Sequence, residues 1–493
     1  MVIVKTFTES AARGNFGNGG RNFMELFGIR RSFSRRNRIG HGGYAEICRI
    51  AYPLILMSAG NSVMQFVDRK FLAANSTLDV AASMPSGVLC FTLFAFFMVT
   101  CSYTSALVAQ YHGANDRDGV LGAVWAGLTV ALGAGAVITF LVPRIGLALL
   151  RRGGHSPELL EREIEYFNAL LPSGVFLCLA APFFAFFSGR GRTLPVAAIH
   201  LFSGGLNVLL DYLLIFGRGG FPALGIAGAG IATSVSCGVG LLTVMIWFYA
   251  QNQREIPTRA RWRFQPELIV RLFRFGAPAG FQTVCDFGAG TWVMFLLGGL
   301  GDAALAASVI AMSINNLFFV PLMGLADSTA IVVGQYIGRR RQGIAERAAY
   351  RAWRIAALYA FAGAVLYLGF PSALAGIFYP RHEGGGIDFA EVTRLCGGVL
   401  TALALLNVCD SVKYVFMGAM RGAGDTLAAF LLNSATAWLL LVPGTVLLTA
   451  APHPSIGRVL AFMVCVGFLD AMLFLWRFRS GKWRSVKMIG GNA

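Results

Sequence analysis

The hexapeptide VAQYHG at residues 108–113 recurs as VGQYIG at residues 333–338. Each copy ends a long apolar run, and the copies lie 225 residues apart, a distance of six such runs. A glycine at this place is also a common helix-ending signal, so the motif alone would not show a duplication. Because it recurs at equivalent helix ends, we predict two six-helix halves in parallel repeat, with a substrate path between them.

The composition places these runs in a membrane. The chain of 493 residues is 56% hydrophobic and only 13% charged, whereas a soluble domain carries about 25% charged residues. A helix that crosses the bilayer needs about 20 mostly apolar residues. Twelve runs meet this requirement: 48–74, 83–110, 119–147, 163–188, 194–216, 224–250, 270–298, 303–336, 347–370, 391–417, 425–449 and 456–476. The predicted fold class is therefore an all-α membrane protein with about twelve transmembrane helices in two six-helix bundles.

The basic residues predict the orientation of the chain. If both ends are cytoplasmic, 30 of the 41 Lys and Arg residues lie in cytoplasmic segments and 8 lie in outer loops. Such an excess is typical of cytoplasmic loops. Topology thus accounts for the net charge of +17, and we expect no nucleic-acid partner. We expect a multi-pass protein of a bacterial inner (plasma) membrane, with both termini in the cytoplasm.

The spans and their polar flanks predict five regions. These are a basic, disordered cytoplasmic tail at 1–45, an N-lobe at 46–250, a cytoplasmic linker at 251–269, a C-lobe at 270–478 and a cytoplasmic tail at 479–493.

Ionisable side chains within membrane spans are candidates for function, because each costs roughly 2.5–3.5 kcal/mol on insertion scales. In the first half these are Asp68 in span 1 and Asp211 in span 5, with Asn207 one turn before Asp211 on the same face. Thr233 in span 6 adds a hydroxyl. We predict that the four form a cation or proton site. Their oxygens suit a hard cation such as Na+, and a carboxyl removed from water can instead hold a proton. The alternative is a structural polar network between packed helices.

The second half carries Asp286 in span 7 and Asp410 in span 10. These are expected to face each other if the two spans pack together, and then to titrate as a coupled pair. Lys413 lies one turn after Asp410, so the two can form a neutral buried ion pair. Its ammonium group can alternatively occupy the place of a metal ion. We therefore favour proton chemistry over Na+ binding in this half. Asp327 and Asp470 are assigned no role.

The sequence shows no arrangement typical of an enzyme. The six His residues have no metal-ligand spacing, and there is no GxxxxGK[ST] motif for a nucleotide. We expect no cofactor and no catalytic residues. An ion gradient of H+ or Na+ is then the expected energy source.

Short motifs along residues 45–478 resemble those of the multidrug and toxic compound extrusion (MATE) transporters in order and spacing. The matching stretches are Pro53 with MQFVD at 64–68, VAQ at 108–110, Asn207 to Asp211-Tyr212, LGIAGA at 224–229 to Thr233, GAP at 276–278 with Asp286, and Asp410 with MRGAGDT at 420–426. The chain departs from the family pattern at Lys413, where a neutral residue is usual, at Arg192, which replaces an acid, and in its basic N-terminal tail. Asp286 also stands where Glu is commoner.

The resemblance implies a V-shaped pair of lobes that exports amphipathic, often cationic compounds in exchange for Na+ or H+. It places Asp68, Asn207, Asp211 and Thr233 at the N-lobe ion site, and Asp286 and Asp410 at an acidic C-lobe site. The expected partners are these substrates and membrane lipids, and the expected state is a monomer. The alternatives are a lipid-linked oligosaccharide or lipid flippase of related fold, and a membrane enzyme or receptor without transport. A flippase cleft would be expected to be rich in Arg, whereas the charges predicted at membrane depth are mostly Asp.

Overall fold

The computed structural model describes residues 42–250, 264–376, 389–452 and 455–490. Nearly all of the N-terminal tail predicted at 1–45, and most of the linker predicted at 251–269, lie outside these ranges. The regular structure of the described ranges is helical throughout.

The first half consists of six spans, of which one is bent, and a short extra helix. Its elements are α1 (Tyr44–Asn75), α2 (Thr77–Ser102), α3 (Thr104–Gly113), α4 (Arg117–Phe140), α5 (Val142–Arg152), α6 (Pro157–Gly189), α7 (Thr193–Phe216) and α8 (Gly225–Ala250). Together α2 and α3 form the second predicted span, with a break at Tyr103. The third predicted span ended at 147, but its helix ends at Phe140 and α5 follows as a separate helix.

The second half repeats this pattern. Its elements are α9 (Pro266–Gly298), α10 (Asp302–Gly338), α11 (Gln342–Gly369), α12 (Pro371–Gly376), α13 (Phe389–Ala423), α14 (Thr426–Ala435), a π-helical segment (Thr436–Leu441), α15 (Val442–Thr449), α16 (Ile456–Arg479) and a 3-10 turn (Lys482–Ser485). The eleventh span consists of α14, the π segment and α15. Helix α9 begins at Pro266, within the predicted linker.

Local sequence signals set several helix ends. Ser76, Asp116 and Ser156 precede α2, α4 and α6, and each side chain accepts a hydrogen bond from a backbone N–H of the first turn. Such caps satisfy donors that have no partner within the helix. Gly217 ends α7 in the left-handed conformation, with φ of 64°, which glycine adopts without steric cost.

Eleven helices in the described ranges are long and apolar enough to span a membrane. The chain is therefore an integral, multi-pass membrane protein. The seventh predicted span, α9, has 33 residues but is not among the eleven, because polar residues such as Gln282 and Asp286 lower its hydropathy. Helix α9 packs against α2 and α14 rather than standing apart.

Each of the two largest cores is built mostly from one half, and the halves meet along equivalent helices. Buried aromatic side chains such as Phe186 and Phe248 lie in the core of the first half, and Phe416 and Phe478 lie in a core of the second. Between the halves, α1 packs on α10 and α2 packs on α9. These are contacts of span 1 with span 8 and of span 2 with span 7. Because span 7 is the equivalent of span 1 and span 8 is the equivalent of span 2, the two contacts are equivalent, as expected of two related halves.

The repeated hexapeptides contact each other where α3 and α10 end. A side chain at Gly113 would collide with the carbonyl oxygen of Gln335, and one at Gly338 would collide with that of Gln110. Gln110 and Gln335 occupy the same place in the two copies, so the contact is reciprocal. We call this end of the bundle the closed end.

Two amide groups cross the closed end in the same reciprocal way. Gln110 Nε2 donates to the carbonyl oxygen of Gly422 in the second half at 2.9 Å. Gln335 Nε2 donates to that of Gly189 in the first half at 2.8 Å. Both glutamines are buried, so each bond is shielded from water. We call these two bonds and the glycine contacts the glutamine clasp.

Candidate ion-coupling sites

The four polar residues predicted in the first half lie together, because α1, α7 and α8 pack against one another. With its amide nitrogen facing both carboxylates, Asn207 donates to Asp68 Oδ1 and to Asp211 Oδ2, each at 3.2 Å. Its oxygen accepts from the backbone N–H of Thr233 at 3.2 Å. This orientation satisfies both ends of the amide, which is the basis for choosing it.

Asp211 is the most enclosed member of this group. Asn207 and Asp211 are buried, and Asp68 is partly exposed. The Asn207 amide holds the carboxyl groups of Asp68 and Asp211 near each other, because it donates to both. Two neighbouring carboxyl groups repel each other unless one of them holds a proton. The alternative that relieves their repulsion is a cation between them.

One atom of this group has no partner. Asp211 Oδ1 is buried and accepts no hydrogen bond from the described residues. A buried polar atom without a partner is costly and calls for an explanation such as an exchangeable ion. The Thr233 hydroxyl donates to the carbonyl oxygen of Ala229 at 3.1 Å, which leaves its lone pairs available. The group thus fits a proton or a small cation.

The second half holds its charges differently from the sequence-based expectation. The ammonium group of Lys413 pairs with Asp470 Oδ2 at 2.7 Å, not with Asp410. The Asp410–Lys413 pair considered from their spacing is therefore wrong. Asp470 lies on α16, which packs against α13, so a tertiary partner replaces the neighbour one turn away.

Asp286 and Asp410 do not form the expected facing pair. The Asp286 carboxylate instead accepts a hydrogen bond from the Asn433 side chain of α14. The physical reason is that α9 packs on α14, whereas α13 packs on α10, α11 and α16. Lys413 interacts electrostatically with both carboxylates. The second half therefore holds its own fixed cation among its acids.

The π segment connects these groups. Thr436, its first residue, donates to Asp470 Oδ1 at 3.1 Å and lies within 2.9 Å of the Asn433 carbonyl oxygen. Two residues further, Trp438 Nε1 donates to the carbonyl oxygen of Cys285 on α9 at 3.2 Å. Single turns of π-helix are frequent at functional sites. Side chains of the eleventh span thus contact Asp286, through Asn433 just before the π segment, and Asp470, through Thr436.

Three participants were not predicted as site residues: Asn433, Thr436 and Asp470. The sequence signal for Asp470 was its charge within a span. Its nearness to the basic end of α16 allowed a purely structural interpretation. Asn433 and Thr436 gave no signal that distinguishes them from polar residues at ordinary helix contacts.

Aromatic side chains line the contact between the halves above the closed end. Phe91 and Phe96 of α2 pack against Phe287 and Phe281 of α9, with ring centroids 5.1 and 4.6 Å apart. Near this contact Arg421 donates to Gln282 Oε1 at 3.1 Å. Asp327 of α10 is exposed and lies near enough to Arg421 to interact electrostatically.

Comparison with known proteins places most of the chain in one family. The MatE family model matches residues 53–213 and 278–447, one segment in each half. The chain is 30% identical over 416 residues to a probable multidrug resistance protein NorM of Pseudomonas aeruginosa, with 82% of this chain and 83% of that protein covered. It is 26% identical over 400 residues to the multidrug resistance protein NorM of Aliivibrio fischeri, with 81% and 85% covered.

Solved structures share the fold. One, described as the outward-facing conformation of a multidrug resistance MATE family transporter, has a TM-score of 0.81 at 21% identity, with 90% of this chain and 96% of that chain covered. Another, a MOP superfamily transporter from Pyrococcus furiosus whose description reports a binding pocket of reverse polarity, has a TM-score of 0.80 at 21% identity, with the same coverage. The chain belongs to the MatE family, the multidrug and toxic compound extrusion transporters.

Proposed function

We propose that the chain is a secondary multidrug exporter that exchanges amphipathic, often cationic compounds for H+ or Na+ by alternating access. The observation that carries this proposal is the buried Asp211 Oδ1 without a partner, beside Asp68 and Asn207. An ion that binds and leaves here can drive transport only if it binds the outward-open and inward-open states unequally. The names of the relatives, multidrug resistance proteins, support the substrate class.

The side chains of the first-half site are compatible with either coupling ion. Two carboxylates and a hydroxyl can bind Na+, whereas two neighbouring carboxyl groups suit one shared proton. In this proposal the arriving ion satisfies Asp211, and its loss restores repulsion between the two acids. Because both acids belong to helices that pack together, a change in their repulsion acts on the packing of α1 against α7.

The C-lobe contributes a fixed cation. Lys413 sits where Asp286, Asp410 and Asp470 all interact with its ammonium group. The ammonium group of Lys413 already supplies the positive charge that a bound Na+ would supply to these acids. We therefore propose proton chemistry at Asp286 and Asp410. Asp470, which accepts a hydrogen bond from Thr436, holds the ammonium group in place and leaves Asp410 free to respond to protonation or to a cationic substrate.

In alternating access, the closed end would be one of the two gates of the transporter. We propose that the closed end faces the cytoplasm, since the basic residues favour that side, and that the glutamine clasp breaks when the cleft opens inward. The substrate would then bind between the lobes, against aromatic walls such as Phe281 and Phe287. We propose that the protein acts as a monomer in the bacterial inner membrane, with both termini cytoplasmic.

Gradient-driven dye efflux from liposomes tests this function. Purified protein receives a pH gradient or a Na+ gradient separately, with the Asp286→Asn/Asp410→Asn double variant as the control. We expect efflux under one gradient and its loss in the control. If several cationic dyes fail to move under either gradient, the proposal is wrong and a lipid or oligosaccharide flippase of the same fold becomes the better hypothesis.

A further inference from the structure

The chain beyond α16 crosses from the second half to the first. Helix α16 ends at Arg479, and Gly481 turns the chain in the left-handed conformation, with φ of 71°. The following residues run along the closed end up to the last described position, Gly490. We call residues 480–490 the C-terminal strap. It belongs to the tail expected at 479–493, but its residues pack against both lobes.

The start of the strap is fixed to the second half. Trp483 is 1% exposed and stacks on Phe478 with ring centroids 5.1 Å apart, and its Nε1 donates to the Phe478 carbonyl oxygen at 2.9 Å. Arg484 pairs with Glu346 of α11 at 2.6 Å. Gln342, the first residue of α11, donates to the Arg484 carbonyl oxygen at 3.1 Å.

The end of the strap is buried beside the first half. Met488 is only 1% exposed and belongs to a hydrophobic core that is made mostly of first-half residues and also includes the start of α9, with Val486 and Ile489 packed against it. Its sulfur lies 3.5 Å from the Tyr103 hydroxyl, at the break between α2 and α3. That hydroxyl also donates to the Arg421 carbonyl oxygen of the second half at 2.6 Å. Met488 thus sits where the two halves touch.

The strap also has room to move. A cavity of 1560 Å³ lies beside it at the closed end. Its walls come from the end of α3, the start of α9, the turn between α10 and α11, and the strap itself. The cavity therefore offers space directly beside Met488 and its neighbours in the strap.

We propose that the C-terminal strap is a gate latch, which holds the closed end shut until Met488 leaves its buried place beside Tyr103. This inference rests on alternating access as proposed above. The lobes cannot separate at the closed end while one segment is anchored by Trp483 on Phe478 of the second half and by Met488 on Tyr103 of the first. Burial of a methionine side chain is large enough to shift an opening equilibrium by about tenfold or more.

Hydrogen–deuterium exchange of the full chain in lipid nanodiscs tests the latch. The variants are Met488→Ala and a chain that stops after Lys487, and the matched control is Lys487→Ala, since Lys487 is the exposed neighbour of Met488. We expect amides at 103–113 and 330–341 to exchange about tenfold faster or more in both test variants. The control should match the wild type, and peptides around Asp68 should not change.

Two outcomes would overturn the latch. One is unchanged exchange at the closed end in both test variants, and the other is a uniform increase over the whole chain, which indicates general destabilisation. The test is independent of dye transport: if the wild-type protein moves no substrate, the proposed function fails while the exchange result still decides the latch.

Discussion

Replacing Lys413 by Met should destabilise the protein strongly, because it leaves Asp470 as a buried charge without its counter-ion. The two side chains are 17% and 6% exposed, and their charged atoms are 2.7 Å apart. Removing one partner of such a pair typically costs 3–5 kcal/mol. Asp470 keeps its hydrogen bond from the Thr436 hydroxyl. We therefore expect the free energy of unfolding to fall by about 3 kcal/mol, near the lower end of this range.

A double-mutant cycle isolates the pair. Asp470→Leu alone should also destabilise, whereas Lys413→Met with Asp470→Leu removes both charges together and should recover much of the loss. We expect a coupling energy of about 2 kcal/mol between these positions. The assay is reversible unfolding in mixed micelles, followed by tryptophan fluorescence, with transport in liposomes measured in parallel.

The matched cycle uses Asp410→Asn with Lys413→Met. Because Lys413 forms its ion pair with Asp470, the coupling to Asp410 should be clearly smaller. A larger coupling to Asp410 than to Asp470 would refute the pairing on which the C-lobe site is built. Zero coupling in both cycles would refute the idea of a tethered cation.

Three further outcomes are expected. Asp410→Asn should reduce exchange at least tenfold while the protein remains folded, and wild-type turnover in that variant would remove the C-lobe from the mechanism. Asp68→Asn should change the dependence of transport on pH or Na+, as measured by efflux under each gradient, because it removes one of the two facing acids; an unchanged ion dependence would exclude the N-lobe site. Gln110→Ala combined with Gln335→Ala should speed proteolysis or hydrogen exchange at the closed end, and equal protection would contradict the clasp.

The architecture was largely predictable because the membrane imposes a simple rule of length and apolarity. Twelve runs predicted twelve spans, and the repeat of the hexapeptide predicted the two related halves. The bend at Tyr103 and the π segment from Thr436 were not predictable, since both leave the chain apolar and continuous. The role of the hexapeptide was also not predictable. Its glycines and glutamines form contacts between the two halves, and the sequence pattern does not indicate which distant residues they contact.

The two candidate sites differ in how much the sequence could predict. Asn207 and Asp211 are one turn apart on one helix, so their grouping follows from helix geometry, and packing added Asp68 and Thr233. In the second half the same local reasoning failed. Lys413 is one turn from Asp410, yet a helix from the end of the chain supplies its partner.

The measurement that tests the central claim most directly is transport run in reverse. Liposomes containing the protein receive a gradient of a cationic dye and no ion gradient, and internal pH and Na+ are recorded. An antiporter must then move protons or Na+ against the direction of dye movement, and Asp211→Asn should abolish this ion flux. Dye movement without any ion flux, or an ion flux unchanged in Asp211→Asn, would contradict exchange at this site.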